Sequence, residues 1–200
     1  MSGLYSPILE RAIRTASEFH RKQTRKGSSL PYISHSAAVM LILQRAGFDD
    51  DRLLAAAVLH DVVEDTDCTL EMLKEQFPPE VAEWVSETSE QKQDDEGVAR
   101  SWIDRKREHL AHAASASFEA RTIILADKYH NLCSMLYDLE RGETVWERFN
   151  APAEYVLWYN REMIVSVARE TPELNILKRA AIDTLVQLIS DAKIEPRIPD

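Results

Sequence analysis

Glycine and cysteine are both scarce in this sequence of 200 residues. It holds 5 Gly and only 2 Cys, at Cys68 and Cys133. Folds with many tight turns usually need more glycine, so the composition favours helices joined by short loops. Two cysteines cannot form a disulfide framework, which is typical of a reducing compartment, and we therefore expect a cytoplasmic protein.

Long apolar segments and export signals are also missing from the sequence. The longest uninterrupted apolar runs, such as Leu53–Leu59, are far shorter than the roughly 20 residues that a membrane-spanning helix needs. At the N-terminus, Met1–Pro7 shows no basic segment followed by an apolar one. We therefore expect neither insertion into a membrane nor export.

Basic residues are fewer than acidic ones: the sequence has 24 Lys and Arg and 34 Asp and Glu, which gives a net charge of −10. Such a surface repels duplex nucleic acid on average, although a local basic patch could still hold a small phosphate ligand. Hydrophobic residues make up 44% of the chain, enough for a packed core. The length predicts a single all-α domain over residues 1–194 with a flexible tail over 195–200, and homo-oligomerisation stays open.

Helix-capping and helix-breaking residues divide the chain into predicted helices. Ser6-Pro7 and Thr69 are typical helix starts, and Gly47 is typical of the position after a helix end. The polar residues 87–99 form the longest predicted loop and a candidate lid. The predicted helices cover about residues 7–22, 34–46, 51–64, 70–77, 79–85, 100–114, 118–140, 152–169 and 173–191.

The strongest chemical signal is His60-Asp61 followed by Glu64-Asp65, late in an apolar predicted helix. If that helix continues to Asp65, a rotation of about 100° per residue puts all four side chains on one arc, opposite the aliphatic face. Three clustered carboxylates repel one another and need a countercharge. A divalent cation is the simplest one.

Two further residues complete a candidate metal site. His35 precedes His60 at the start of the preceding predicted helix, and Asp127 follows the aliphatic run of residues 123–126. Two His and two Asp side chains suit Mn²⁺, Fe²⁺ or Zn²⁺ better than Ca²⁺. Such an ion activates water and polarises a phosphoryl oxygen. Asn131 lies one helical turn after Asp127, where it would contact the ligand or support Asp127.

Each of these residues also has an ordinary structural explanation. A lone His at a helix start, such as His35, is more often a cap or a core residue, and Glu64-Asp65 could be a solvated helix end. The basic residues 21–26 could be an exposed helix terminus, which is favourable to the helix dipole. The joint occurrence of His, His-Asp and Asp on separate predicted helices favours the metal site.

The pattern His35, His60-Asp61, Asp127 resembles the signature of HD-domain metal-dependent phosphohydrolases. Three segments also resemble the hydrolase domain of RelA/SpoT proteins and the stand-alone small alarmone hydrolases, including the metazoan SpoT homologue type. The resemblance covers about residues 5–140. Its motifs are Phe19–Lys26 with Pro31–His35, Ala56–Thr66, and Leu125–Leu132.

The resemblance implies an all-α HD-domain helical bundle and a function for each matched position. It implies one Mn²⁺, with Fe²⁺, Co²⁺ or Zn²⁺ as alternatives, bound by His35, His60, Asp61 and Asp127. It implies that Glu64 and Asp65 activate or orient the attacking water, and that Arg25, Lys26 and Asn131 contact the substrate. That substrate would be a (p)ppGpp-like nucleotide, cleaved at its 3′-pyrophosphate.

Two other functions stay open at this point. One is the same metal chemistry on another phosphorylated nucleotide, as in an HD phosphatase or phosphodiesterase. The other is a nucleotide sensor that keeps the pocket without catalysis. About sixty residues follow the resemblance, too few for the alarmone-synthetase domain of the larger relatives, so we expect hydrolysis without synthesis.

Overall fold

The computed structural model describes residues 5–90, 98 and 100–199, and the regular structure in this part of the chain is helical. Extended pairing there is limited to one isolated bridge between Thr24 and Pro31. The all-α prediction is confirmed. The helices are α1 (Pro7–Phe19), α2 (Ile33–Arg45), α3 (Asp51–Leu59), α4 (Val62–Asp65), α5 (Leu70–Gln76), α6 (Pro79–Thr88), α7 (Trp102–Ser115), α8 (Phe118–Glu140), α9 (Ala153–Val167) and α10 (Asn175–Ala192).

Short side chains cap several helices as predicted. Ser6 accepts a hydrogen bond from the Leu9 N–H, and Thr69 accepts one from the Met72 N–H. Each bond satisfies one of the amide donors that a helix N-terminus leaves unpaired. Gly47 follows α2 with a φ of +94°, a conformation that other residues adopt only with strain.

The predicted helix over residues 51–64 is interrupted, and α3 and α4 replace it. The side chain of His60 hydrogen-bonds the carbonyl of Ala57, which would accept the Asp61 N–H in a continuous helix. The Thr88 hydroxyl lies 3.3 Å from the carbonyl oxygen of His60 and 2.8 Å from that of Val85, so these two acceptors share its single proton. The condition for placing four ionisable residues on one helical arc is therefore not met, because the helix is interrupted between Leu59 and Val62.

Two other boundaries differ from the predictions. Helix α1 ends at Phe19 rather than near Lys22, so the residues that follow it form a longer loop before α2. The predicted lid over residues 87–99 begins inside α6, which extends to Thr88. Residues 91–97 and 99 of that segment lie outside the described residues.

The chain divides into two compact units, residues 1–89 with 116–126 and residues 90–115 with 127–200. In the first unit α3 is central, because α1, α2 and α6 all pack against it and every residue from Leu53 to Leu59 is buried. This burial explains why the segment is apolar on all sides of the helix. It also gives the following residues, His60 and Asp61, a rigid support.

In the second unit α9 packs against both α7 and α10. The C-terminal segment contacts this unit, since the Arg197 N–H donates to the Glu154 carbonyl and Arg107 donates to the Pro199 carbonyl. The single domain and the flexible tail of residues 195–200 stay predictions. Among the described residues, no helix combines the length and the apolar character needed to cross a bilayer.

Candidate metal centre

His60 lies in the turn between α3 and α4, with only 3% of its surface exposed. Its Nδ1 is 2.8 Å from the Ala57 carbonyl oxygen. A carbonyl can only accept a hydrogen bond, so Nδ1 carries the proton of the neutral ring and Nε2 presents its lone pair. A backbone carbonyl that fixes the other ring nitrogen in this way is typical of metal-binding histidines.

His35 and Asp61 lie beside this nitrogen. His35 is buried in the first turn of α2, and its ring meets that of His60 edge to face at 5.1 Å. The Oδ2 of Asp61 is 2.9 Å from Nε2 of His60 and 3.6 Å from Nε2 of His35. Tyr32 donates its hydroxyl to the same oxygen at 2.5 Å, which fixes the carboxylate between the two imidazoles.

Asp127 is the fourth predicted ligand, and it is 9% exposed. It directly follows Ala126 in the continuous helix α8. One ligand atom from each of His35, His60 and Asp127 lies within 4.8 Å of the other two. The Asp127 carboxylate also accepts hydrogen bonds from Lys128 at 2.7 Å and from Asn131 at 2.6 Å, which fix its orientation.

The chemistry of these groups fits a divalent cation. The lone pair on Nε2 of His60 faces a carboxylate oxygen at 2.9 Å, and two such electron-rich atoms repel each other unless a cation lies between them. Ligand atoms that share one ion at right angles are about 3 Å apart when each is about 2.1 Å from it. Neutral imidazoles and carboxylates together suit Mn²⁺, Fe²⁺, Co²⁺ or Zn²⁺ better than Ca²⁺.

Glu64 and Asp65 lie on α4, immediately after the turn that carries His60 and Asp61. Glu64 is half-buried and Asp65 is exposed. Asp65 and Gln23, whose side chains are hydrogen-bonded, both line a cavity of about 550 Å³ near the C-terminal ends of α1 and α4. Two carboxylates are thus available near the candidate metal ligands for proton transfer.

Arg25 and Lys26 lie in the loop between α1 and α2. The loop closes on itself, since the Arg25 N–H donates to the Leu30 carbonyl. The Arg25 guanidinium is 5.5 Å from the centre of the Tyr32 ring, a cation–π distance. Tyr32 thus contacts both Arg25 and Asp61. Lys26 is exposed at the tip of the same loop.

Sequence reasoning assigned no function to His20, Gln23 or Tyr32, although all three belong to the segment that carries the family resemblance. His20 stacks on Tyr32 with ring centres 4.6 Å apart, and its Nδ1 lies 2.7 Å from Oε1 of Gln23. Burial lowers the pKa of His20, which favours the neutral ring. The sequence signal for His20 and Gln23 was their position as polar residues just after the amphipathic helix α1.

A buried ionic cluster in the second unit was also missed. Lys106 hydrogen-bonds Glu90, and Arg105 lies 3.0 Å from the same carboxylate. Although burial opposes ionisation, the hydrogen bond from His109 and the two cations lower the pKa of Glu90 to about 2. A basic run such as residues 105–107 is typical of a phosphate contact, but Arg105 and Lys106 pair with this carboxylate.

Comparisons with solved structures find similar folds. The chain is similar, with a TM-score of 0.76 and 27% identity, to a structure described as a metazoan orthologue of SpoT that hydrolyses ppGpp and plays a role in starvation responses. The similarity covers 93% of this chain and 98% of the other. A protein from Listeria monocytogenes EGD-e is 30% identical with a TM-score of 0.68, over 80% of this chain and 96% of that one.

Sequence comparisons identify the family. Two relatives carry the name guanosine-3′,5′-bis(diphosphate) 3′-pyrophosphohydrolase MESH1. The one from Drosophila melanogaster is 37% identical over 70% of this chain and 73% of the relative. The one from Xenopus tropicalis is 39% identical over 66% of this chain and 71% of the relative. The family profile described as HD domain matches residues 12–148, so the chain belongs to the HD domain family.

Proposed function

We propose that the protein is a metal-dependent 3′-pyrophosphohydrolase of (p)ppGpp-like nucleotides, with Mn²⁺ as its metal. The observation that carries this proposal is the convergence of His35, His60 and Asp127, with Asp61 between the two imidazoles. The names of the relatives supply the substrate class, because both are called 3′-pyrophosphohydrolases of guanosine bis(diphosphate).

In this proposal His35, His60, Asp61 and Asp127 hold the ion. When bound, the divalent ion supplies a Lewis acid for a phosphoryl oxygen and acidifies water. The chain's own carboxylates handle the proton: Glu64 or Asp65 accepts it from the attacking water. The bond between the 3′ oxygen and the pyrophosphoryl group breaks, and the products are pyrophosphate and GDP or GTP.

The substrate contacts follow from the same loop and helix. Arg25, held near the Tyr32 ring, would stack on a purine or pair with a phosphate, and Lys26 would add a point charge for phosphate. Asn131 would contact the nucleotide from the turn after Asp127. Two cations on one loop compensate locally for the net charge of −10.

The test is turnover by purified protein reconstituted with Mn²⁺, Co²⁺ or Fe²⁺ and incubated with ppGpp or pppGpp. We expect pyrophosphate together with GDP or GTP. Release of orthophosphate from another nucleotide, with none of these products, would indicate the alternative HD phosphatase. Tight nucleotide binding that neither turns over nor responds to Glu64→Ala would indicate a sensor.

The remaining proposals concern the setting of the enzyme. We infer a cytoplasmic location from the cysteine content. The acidic surface argues against duplex nucleic acid as a partner. Homo-oligomerisation stays open, and sedimentation velocity at micromolar protein concentrations would measure it.

A further inference from the structure

We propose that His20 and Gln23 form a positioning pair that orients the carboxylate of Asp65. The inference rests on the proposed function, in which Glu64 and Asp65 activate or orient the attacking water. Neither His20 nor Gln23 is among the predicted ligands, acids or substrate contacts. Both lie in the first unit. Hydrogen bonds connect the buried ring of His20 to Gln23, and Gln23 to the exposed carboxylate of Asp65.

The two ends of the Gln23 amide are chemically distinct and therefore define its orientation. Its Nε2 donates to Oδ2 of Asp65 at 3.2 Å, because a carboxylate accepts but does not donate. Its Oε1 then points to Nδ1 of His20 at 2.7 Å. An amide oxygen only accepts, so Nδ1 of His20 must carry the proton.

The burial of His20 supports the same tautomer. The ring is 2% exposed and stacks on Tyr32 at an angle of 29°. Within residues 5–90, 98 and 100–199, the Nε2 of His20 has no hydrogen-bond partner. A buried N–H without an acceptor is costlier than a buried lone pair, which again assigns the proton to Nδ1.

The backbone of this pair is fixed as well. The His20 N–H donates to the Ala16 carbonyl at the end of α1, and the Gln23 N–H donates to the His20 carbonyl, both at 2.9 Å. The Gln23 carbonyl accepts the Tyr32 N–H at 3.0 Å, which ties the beginning of the loop to its end. Hydrogen bonds thus fix the backbone of Gln23. Its side chain contacts Asp65, which lies 42 residues later in the sequence.

An exposed carboxylate without such a donor samples several rotamers, and only some of them place an oxygen toward the attacking water. The pair therefore contributes to the rate of the chemical step, not to substrate affinity. We expect Gln23→Leu to lower kcat about 10-fold, the size of effect typical of losing one hydrogen bond to a charged group. KM and the metal content stay at the wild-type values.

A double-mutant cycle separates orientation of Asp65 from general support of the fold. Gln23→Leu, Asp65→Asn and the double variant are compared by kcat on ppGpp. If Gln23 acts through Asp65, the loss from Gln23→Leu disappears in the Asp65→Asn background. Equal losses in both backgrounds would overturn the inference. Gln44→Leu, at an exposed Gln on α2, is the matched control and keeps wild-type kcat.

Variants of His20 test the ring in the same way. His20→Phe keeps an aromatic ring to stack on Tyr32 but loses the donor, so we expect it to lower kcat as Gln23→Leu does. His20→Asn keeps a donor and should recover part of that loss. A wild-type kcat in His20→Phe would contradict the assignment of the pair.

A readout without turnover uses the ¹⁵N chemical shifts of the His20 ring in protein loaded with diamagnetic Zn²⁺. We expect a single neutral tautomer protonated at Nδ1 in the wild type, and a changed Nδ1 chemical shift in Gln23→Leu, which removes the acceptor of that N–H. An Nδ1 shift that is unchanged in Gln23→Leu would overturn the inference. A wild type that turns over no nucleotide would contradict the proposed function, and the Nδ1 shift would still test the contact between His20 and Gln23.

Discussion

The Nε2 of His60 lies 2.9 Å from the Oδ2 of Asp61, although consecutive residues of a helix point about 100° apart. The interruption between α3 and α4 makes this approach geometrically feasible. The His60 ring occupies the carbonyl of Ala57, and the Thr88 hydroxyl occupies that of His60. The helix break thus coincides with the close approach of His60 and Asp61 at the candidate metal centre.

Thr88 offers a test of this break from outside the centre. Thr88→Val keeps the shape of the side chain and removes the donor to the His60 and Val85 carbonyls. We expect the free energy of unfolding to fall by about 1 kcal/mol and the metal affinity to weaken, because the turn is less well held. Urea denaturation and competition with a metal-sensitive dye measure the two effects, and unchanged values of both would contradict this explanation.

Removing a ligand should remove the metal and the activity together. His60→Ala and Asp127→Ala are expected to lose the bound ion, because each leaves an incomplete donor set. Metal per protein chain, measured by inductively coupled plasma mass spectrometry, checks this directly. His112→Ala, at an exposed His on α7, is the control and should keep both. A full complement of metal in both ligand variants would exclude these residues as ligands.

Glu64→Gln separates proton transfer from metal binding. The amide keeps the size of the side chain but cannot take a proton from water, and a general base contributes about 10²–10⁴-fold to a rate. We expect a loss of kcat in that range with unchanged metal content. An unchanged kcat would assign the proton to Asp65 alone.

Arg25→Ala should act on binding. Its guanidinium lies near the Tyr32 ring, on the loop that the proposal assigns to substrate binding. We expect KM for ppGpp to rise about 10-fold, as for the loss of one charge-assisted contact, with kcat nearly constant. Arg14→Ala, at an exposed Arg on α1, is the matched control and should leave KM unchanged. A fall in kcat at constant KM would contradict the binding function.

The ionisation of Glu90 should make the stability of the protein depend on pH. Its pKa is lowered to about 2 in the folded protein, below the ordinary value of 4.5, so ionised Glu90 stabilises the fold above about pH 4.5. That contribution, about 3 kcal/mol at pH 7, is lost as the pH falls from 4.5 toward 2. Glu90→Gln should therefore be less stable than the wild type at pH 7, and the difference should shrink at pH 3.5. Urea denaturation at both pH values measures it, and a constant difference would contradict the pairing.

Local sequence signals predicted the helices well where the determining contacts are local. Ser6 and Thr69 cap helices through amides three residues ahead, and the predicted helix over residues 118–140 has the observed bounds. The candidate ligands were identifiable because their residue types and spacing match a family signature. Their individual functions stay predictions, since the structure gives their positions and not their chemistry.

Features that depend on distant partners could not be predicted. The contact between Thr88 and the His60 carbonyl spans 28 residues, and the contact between Gln23 and Asp65 spans 42 residues. The basic run at residues 105–107 suggested phosphate binding, whereas the structure pairs Lys106 with Glu90. No local pattern distinguishes a lysine that binds a ligand from one that binds a carboxylate.

The most direct measurement of the central claim is anomalous diffraction from a crystal of the Mn²⁺-loaded protein. We expect one strong manganese peak within bonding distance, about 2.1–2.2 Å, of both imidazole Nε2 atoms and of oxygens from Asp61 and Asp127. A peak elsewhere, or a peak that lacks either histidine, would contradict the claim that these four side chains bind a single catalytic ion.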